Sequence, residues 1–284
     1  MRKNVKKQLA LRVLSTAALV AMVSSIATAA FAAEYNVKDG SVEIVAKDGV
    51  QRITQWVNKD IGIYVQDGKG EDIRDREDSD IVLTTKGETT SNTVTITAEE
   101  KKDTANVTLQ DVFINREGAW NSNSEAALTV KGDGDTHIEL NGNNTLSSTG
   151  AHAGLEKTDA ECSGTLTITD DKNDKNNDCS DKKKDEYGYS TGGDTGTLAV
   201  IGGGEGGASI GGQGTLDRWD SSSDPGTKED HSTSNITITG GTIRAGYTPD
   251  GCNPNYHGAT GAGIGGGASG GNGTNITITG NADV

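Results

Sequence analysis

The chain has 284 residues, and its 41 acidic against 26 basic side chains give a net charge of −15. That balance argues against nucleic acid and anionic lipid as partners, and against acidic polysaccharide unless a divalent cation bridges the two. With only 32% apolar residues and 40 glycines, low hydrophobicity and high charge would suggest disorder, but Thr, Ile, Val and Leu recur in short alternating stretches that each bury one face when a neighbour stacks on it.

Arg2, Lys3, Lys6, Lys7 and Arg12 precede an apolar run over residues 13–26, and Ala30-Phe31-Ala32 supplies small residues for cleavage before Ala33. Residues 1–32 therefore read as a Sec-type signal peptide and the mature chain as secreted or held at the cell surface. The apolar run is short for a bilayer span and no second one follows, so no membrane span is expected in the mature chain. Residues 33–100 hold irregular strands, over 42–46, 61–66, 81–85 and 93–97, expected to form an N-terminal β cap. Within them EDIRDREDSD at 71–80 reads as a charged, solvated loop.

From residue 101 the chain repeats itself. Val107/Leu109, Ile138/Leu140, Leu166/Ile168, Ile236/Ile238 and Ile276/Ile278 are aliphatic pairs two residues apart, which point to one face of a strand. Asn141-Gly142, Gly240-Gly241 and Gly280-Asn281 follow as turns, and further strands are expected at Thr145-Leu146, 197–201 and 242–244. A third phrase of small residues leads to one aliphatic at Leu128, Leu155, Ile210 and Ile264. Hydrophilic insertions at 170–194, 213–233 and 247–256 account for the unequal repeat lengths. The expectation is an all-β fold, a right-handed parallel β-helix (solenoid) over residues 101–284 with polar loop insertions. The phrase breaks off at 281–284, which predicts that further repeats follow.

DVFINREGAW at 111–120, the stretch 125–157 and GAGIGGGASGGNGTNITITG at 261–280 resemble secreted Gram-positive carbohydrate-binding β-helix proteins. The resemblance implies a pectate-lyase-like fold that binds acidic plant polysaccharide with calcium and without cleaving it; similar repeats also occur in large bacterial surface adhesins. No residue here matches a named ligand residue of that family, so none is carried over.

Trp120, Trp219, Tyr247 and Tyr256 stand among polar residues, where a ring can stack on the C–H face of a sugar. Trp120 and the loop with Tyr247 and Tyr256 both precede a third phrase, which would place them along one edge as a binding rim; alternatively each ring shields its own loop. Asp174, Asn176, Asp178 and Asp185 fall at four ligand positions of a calcium loop, but Cys179 replaces its turn glycine. The alternative is a solvated insertion whose lysines neutralise its aspartates. Gly270 to Ile278 reads as one imperfect calcium nonapeptide, with Asn275 where an aspartate belongs. Cys162 and Cys179 flank the charged insertion and are placed to close it as a disulfide in an oxidising compartment, leaving Cys252 over.

Catalysis finds less support. Gly202, Gly204 and Gly207 satisfy GxGxxG, but the glycines that follow break the helix a dinucleotide needs. Arg244, at a strand end, is the residue a lyase reading would test first, and His137, His152, His231 and His257 lack metal-ligand spacing. The expected function is non-catalytic polysaccharide or surface-glycan binding, with calcium as a bridge if the ligand is a uronate. The alternatives are a stalk or adhesin domain and a pectate-lyase-like polysaccharide lyase.

Overall fold

The computed structural model describes residues 33–116, 125–148, 150–170, 183–184, 190–191, 196–202, 206–214, 231–246, 261–268 and 270–284. The leader reading of residues 1–32 lies outside them. The chain is all-β, and after residue 80 the strands of its three large sheets pair in parallel.

After residue 80 the chain visits the three sheets in a fixed rotation. The first sheet takes Ile81–Thr84, Thr104–Gln110, Asp135–Asn141, Leu166–Thr169, Thr233–Ile238 and Gly273–Ile278, with Ala33–Asn36 at its outer edge. The second takes Thr89–Thr90, Phe113–Asn115, Asn143–Ser147, Thr197–Ile201 and Thr242–Ala245. The third takes Ser41–Lys47, Val94–Ala98, Leu128–Lys131, Leu155–Glu156, Ile210–Gly211 and Ile264–Gly265. The rotation thus includes residues 81–98, upstream of the boundary at 101 drawn from the repeat phrases.

Register stacks like on like. Ile81, Val107, Ile138, Ile168, Ile238 and Ile278 form one column of the first sheet. Leu128, Leu155, Ile210 and Ile264 form a column of the third, as the third phrase predicts. Ile236 lies on Ile276, also as expected. One step differs from the sequence alignment: Leu166 pairs with Thr136, and Ile168, not Leu166, lies on Ile138. A slip of two keeps every side chain on its face, so the pattern of alternation alone cannot detect it. It leaves Asp170, rather than an aliphatic, after the strand, where its buried carboxylate accepts from the Gly196 N–H at 3.0 Å and turns the chain.

These columns are the core, apart from the exposed Ile278 at the end of the first, and each fully buried Leu or Ile in them contributes about 1.5–3 kcal/mol. The corners are closed by short polar side chains and turn glycines. Gly142, Gly241 and Gly280 all adopt positive φ. Buried Asn144 accepts from the Val112 N–H at 3.0 Å and donates to the carbonyls of Asn141 and Thr197, both at 3.1 Å, joining three successive rounds.

The N-terminal edge of the third sheet is covered. Asp48 and Gly49, at φ 53° and 77°, make the tight turn that returns Val50–Asn58 antiparallel to Ser41–Lys47. Ile63–Tyr64 and Arg76–Glu77 pair with that strand in turn. The acidic stretch before residue 80 is engaged here: Asp67 pairs with Arg76 at 2.9 Å, Asp75 with Arg52 at 3.4 Å, and Asp78 accepts from the Tyr35 hydroxyl at 2.8 Å. Covering the edge this way blocks further strand pairing.

Candidate functional site

Inward residues of the third sheet build the core, so their neighbours must face outward. Along one outward column the register runs Glu43, Thr95, Thr129 and Glu156, and then Gly211 and Gly265. Over its middle lies a groove of about 260 Å³, floored by Thr93, Thr95, Thr129 and Glu156 and walled by residues that include His152, Thr158 and Glu161.

Each charge in or beside the groove has an opposite partner. His152 Nδ1 donates to Glu156 Oε2 at 2.8 Å, and the same oxygen accepts from the Ala153 N–H at 3.1 Å. Burial opposes charging of the imidazole, but the Glu156 hydrogen bond and charge, helped by Glu125 and Glu161, outweigh it and raise the His152 pKa. Lys131 reaches Glu161 at 2.9 Å, and Arg116 reaches Glu125 at 3.4 Å. The Thr158 hydroxyl, buried in the wall, finds no partner among the described residues. Buried hydroxyls are rarely left so. Below the groove, fully buried Lys157 donates to the carbonyls of Cys162 at 3.1 Å and Ser234 at 2.7 Å, tying the third sheet to the first.

The arrangement offers a ligand threonine hydroxyls beside ion pairs that are already matched. It suits hydroxyl-rich, uncharged molecules better than ions. Among the described residues no group of three or more His, Cys, Asp or Glu side chains is placed to hold a metal.

Most residues singled out from the sequence lie elsewhere. Trp120, Trp219, Tyr247, Tyr256, Asp174, Asn176, Asp178, Asp185, Cys179, Cys252 and His257 are outside the described residues. Cys162 is a free thiol, buried, with Sγ 3.9 Å from the Gly164 carbonyl; burial raises its pKa. His137 is exposed on the first sheet, His231 is buried with Nδ1 3.0 Å from the Gln213 carbonyl, and of the described histidines His152 alone lines the groove. Arg244 lies at the far end of the second sheet, against Ala199. Gly207 leads into the strand Ile210–Gly211, not into a helix. Asn275 stands at φ 51° and donates to Asn235 at 2.6 Å, an amide ladder between rounds rather than a cation loop.

An aromatic pair absent from the sequence-derived candidates stands on the same sheet. Trp56 and Tyr64 face each other across the antiparallel strands, ring centroids 4.3 Å apart and planes 32° apart, with the Arg74 guanidinium 5.0 Å from the Tyr64 centroid. The signal for it was Asp48-Gly49 directly after the alternating stretch 42–46, a turn pair that marks a hairpin; the returning strand carries Trp56 on its outward face. No family model matches the chain, and no curated protein or solved structure is similar to it.

Proposed function

We propose that the chain is an exported, non-catalytic carbohydrate-binding protein, built as a right-handed parallel β-helix, whose third-sheet groove holds a neutral glycan without calcium. The unvarying rotation through three sheets supports the β-helix, and right-handed crossovers are the rule between parallel strands. The leader-like residues 1–32 support export.

The observation that carries the glycan reading is the groove floor, a column of threonine hydroxyls with Glu156 held by His152. Hydroxyls and a fixed carboxylate match the alternating donors and acceptors of a sugar. Glu125, Glu156 and Glu161 each already face a basic group, which favours an uncharged ligand over a calcium-bridged uronate.

Glycan-array binding with and without a chelator tests this. Retention of a neutral glycan in both buffers, lost in Thr129→Val, is expected. Retention of uronate polymers alone, abolished by chelator, would replace the neutral ligand with an acidic one; binding to no glycan would sink the reading.

A further inference from the structure

The groove does not end the outward face on which it lies. Ser41 is directly opposite Trp56, and Trp56 is opposite Tyr64. On its other side the Ser41 strand adjoins the groove strand, since the Thr93 N–H donates to Ser41 Oγ at 3.1 Å and the Val42 N–H to the Thr93 carbonyl at 2.9 Å. Directly opposed residues of a sheet share one face, so the partly exposed rings of Trp56 and Tyr64 and the groove threonines look out from the same surface. The indole N–H of Trp56 is buried and has no partner among the described residues. That ring therefore offers a ligand its face, not a donor.

We propose, building on the glycan reading above, that these two features are one site: an extended neutral glycan lies across the strands, its outer ring on Trp56 and its other end against Glu156 and His152. From the strand Val50–Asn58, which carries Trp56, to the strand Leu155–Glu156 there are four strand steps, a span of about 19 Å at ~4.8 Å per step and room for roughly three to four sugar rings. Between the two ends the chain crosses Ser41, Thr93, Thr95 and Thr129, each with a hydroxyl. A sugar ring has polar edges and an apolar C–H face, so one ligand type satisfies both the hydroxyl column and the aromatic platform.

Calorimetric titration with β-1,4-linked gluco-, xylo- and manno-oligosaccharides of two to six rings tests the proposal. Affinity is expected to climb with length until the chain spans the strip. Trp56→Leu, which keeps apolar bulk and removes the ring, is expected to weaken binding of the longest oligomer about tenfold and leave disaccharide binding unchanged. Thr129→Val is expected to weaken both. Trp56→Ala serves as a second variant, with thermal melting to confirm folding, and Ile61→Ser, at an exposed aliphatic off the strip, controls for nonspecific adsorption and is expected to change nothing. Equal affinity for short and long oligomers, or a full-length response that survives Trp56→Leu, overturns the extended site while leaving the groove reading intact. Absence of binding at every length overturns both.

Discussion

From Thr95 to Glu156 the outward column of the third sheet carries side chains that floor a groove, whereas at Gly211 and Gly265 the same column holds buried glycine. The register runs on unbroken through both halves. What differs is the backbone itself: φ at Gly211 is 131°, and a Cβ there would stand 2.1 Å from the carbonyl oxygen of Gly265 on the neighbouring strand and 2.9 Å from the Thr233 side chain on the first sheet. Without side chains backbone meets backbone in the glycine half: the Gly212 N–H continues the ladder to the Gly265 carbonyl at 3.0 Å, and the Gly267 N–H donates to the His231 carbonyl at 2.8 Å. One ladder thus serves as a surface open to a ligand where it has side chains and as a self-packed wall where it has none.

The sharpest way to break that contrast is to exchange the two kinds of residue. Gly211→Val forces a branched side chain into occupied space and a backbone region that only glycine adopts comfortably, so it is expected to cost at least about 3 kcal/mol or prevent folding. Thr129→Val, one half away on the same column, is expected to shift urea stability by less than about 1 kcal/mol. Comparable losses at the two positions would erase the distinction between open and closed halves.

Lys157 sits at the seam between them, after Glu156 and before the glycine rounds. Lys157→Met keeps the aliphatic stem but leaves the carbonyls of Cys162 and Ser234 without their donor. A loss of about 1–3 kcal/mol is expected in denaturant unfolding. An apolar replacement often stabilises when it removes both members of a buried pair; here one member is backbone and stays, so the sign is destabilising. A stabilised Lys157→Met would mean that the buried charge costs more than the two hydrogen bonds return.

Much of this architecture was legible in the residues, and the limits of legibility are physical. The aliphatic pairs and the third phrase marked the strands because burial on one face imposes a period of two, and Leu128, Leu155, Ile210 and Ile264 stack as that period requires. The same period hid the slip at Leu166, since a shift of two residues preserves the face. The cap strand Val50–Asn58 went unread because its inward positions include Gln51 and Gln55, which break the apolar alternation; both are buried and bonded to backbone carbonyls. The groove was not legible at all, because threonine on an outward strand face looks the same whether it meets a ligand or water.

Protonation of His152 sharpens the comparison within the open half. Its folded pKa is raised above the unfolded value, so the stability it contributes is complete at pH below the ordinary imidazole range and disappears as pH rises through the folded pKa. Melting of the wild type and of His152→Gln should therefore differ most at mildly acidic pH, by about 1 kcal/mol, and converge at alkaline pH. A constant difference across that range would show that His152 acts through packing and not through its charge on Glu156.

The smallest effect is the most diagnostic. Thr95 lies at the centre of the groove floor, its hydroxyl facing outward over a sheet whose core is complete without it. Thr95→Ala removes a hydroxyl and a methyl group from a partly exposed position, so stability is expected to move by no more than about 0.5 kcal/mol. If glycan affinity falls about tenfold in the same variant, the hydroxyl is worth more to a ligand than to the fold. A stability loss above about 1.5 kcal/mol with unchanged glycan binding would reverse that order. The threonine column would then be a device for joining strands, and the difference between the two halves of the third sheet would be one of packing alone.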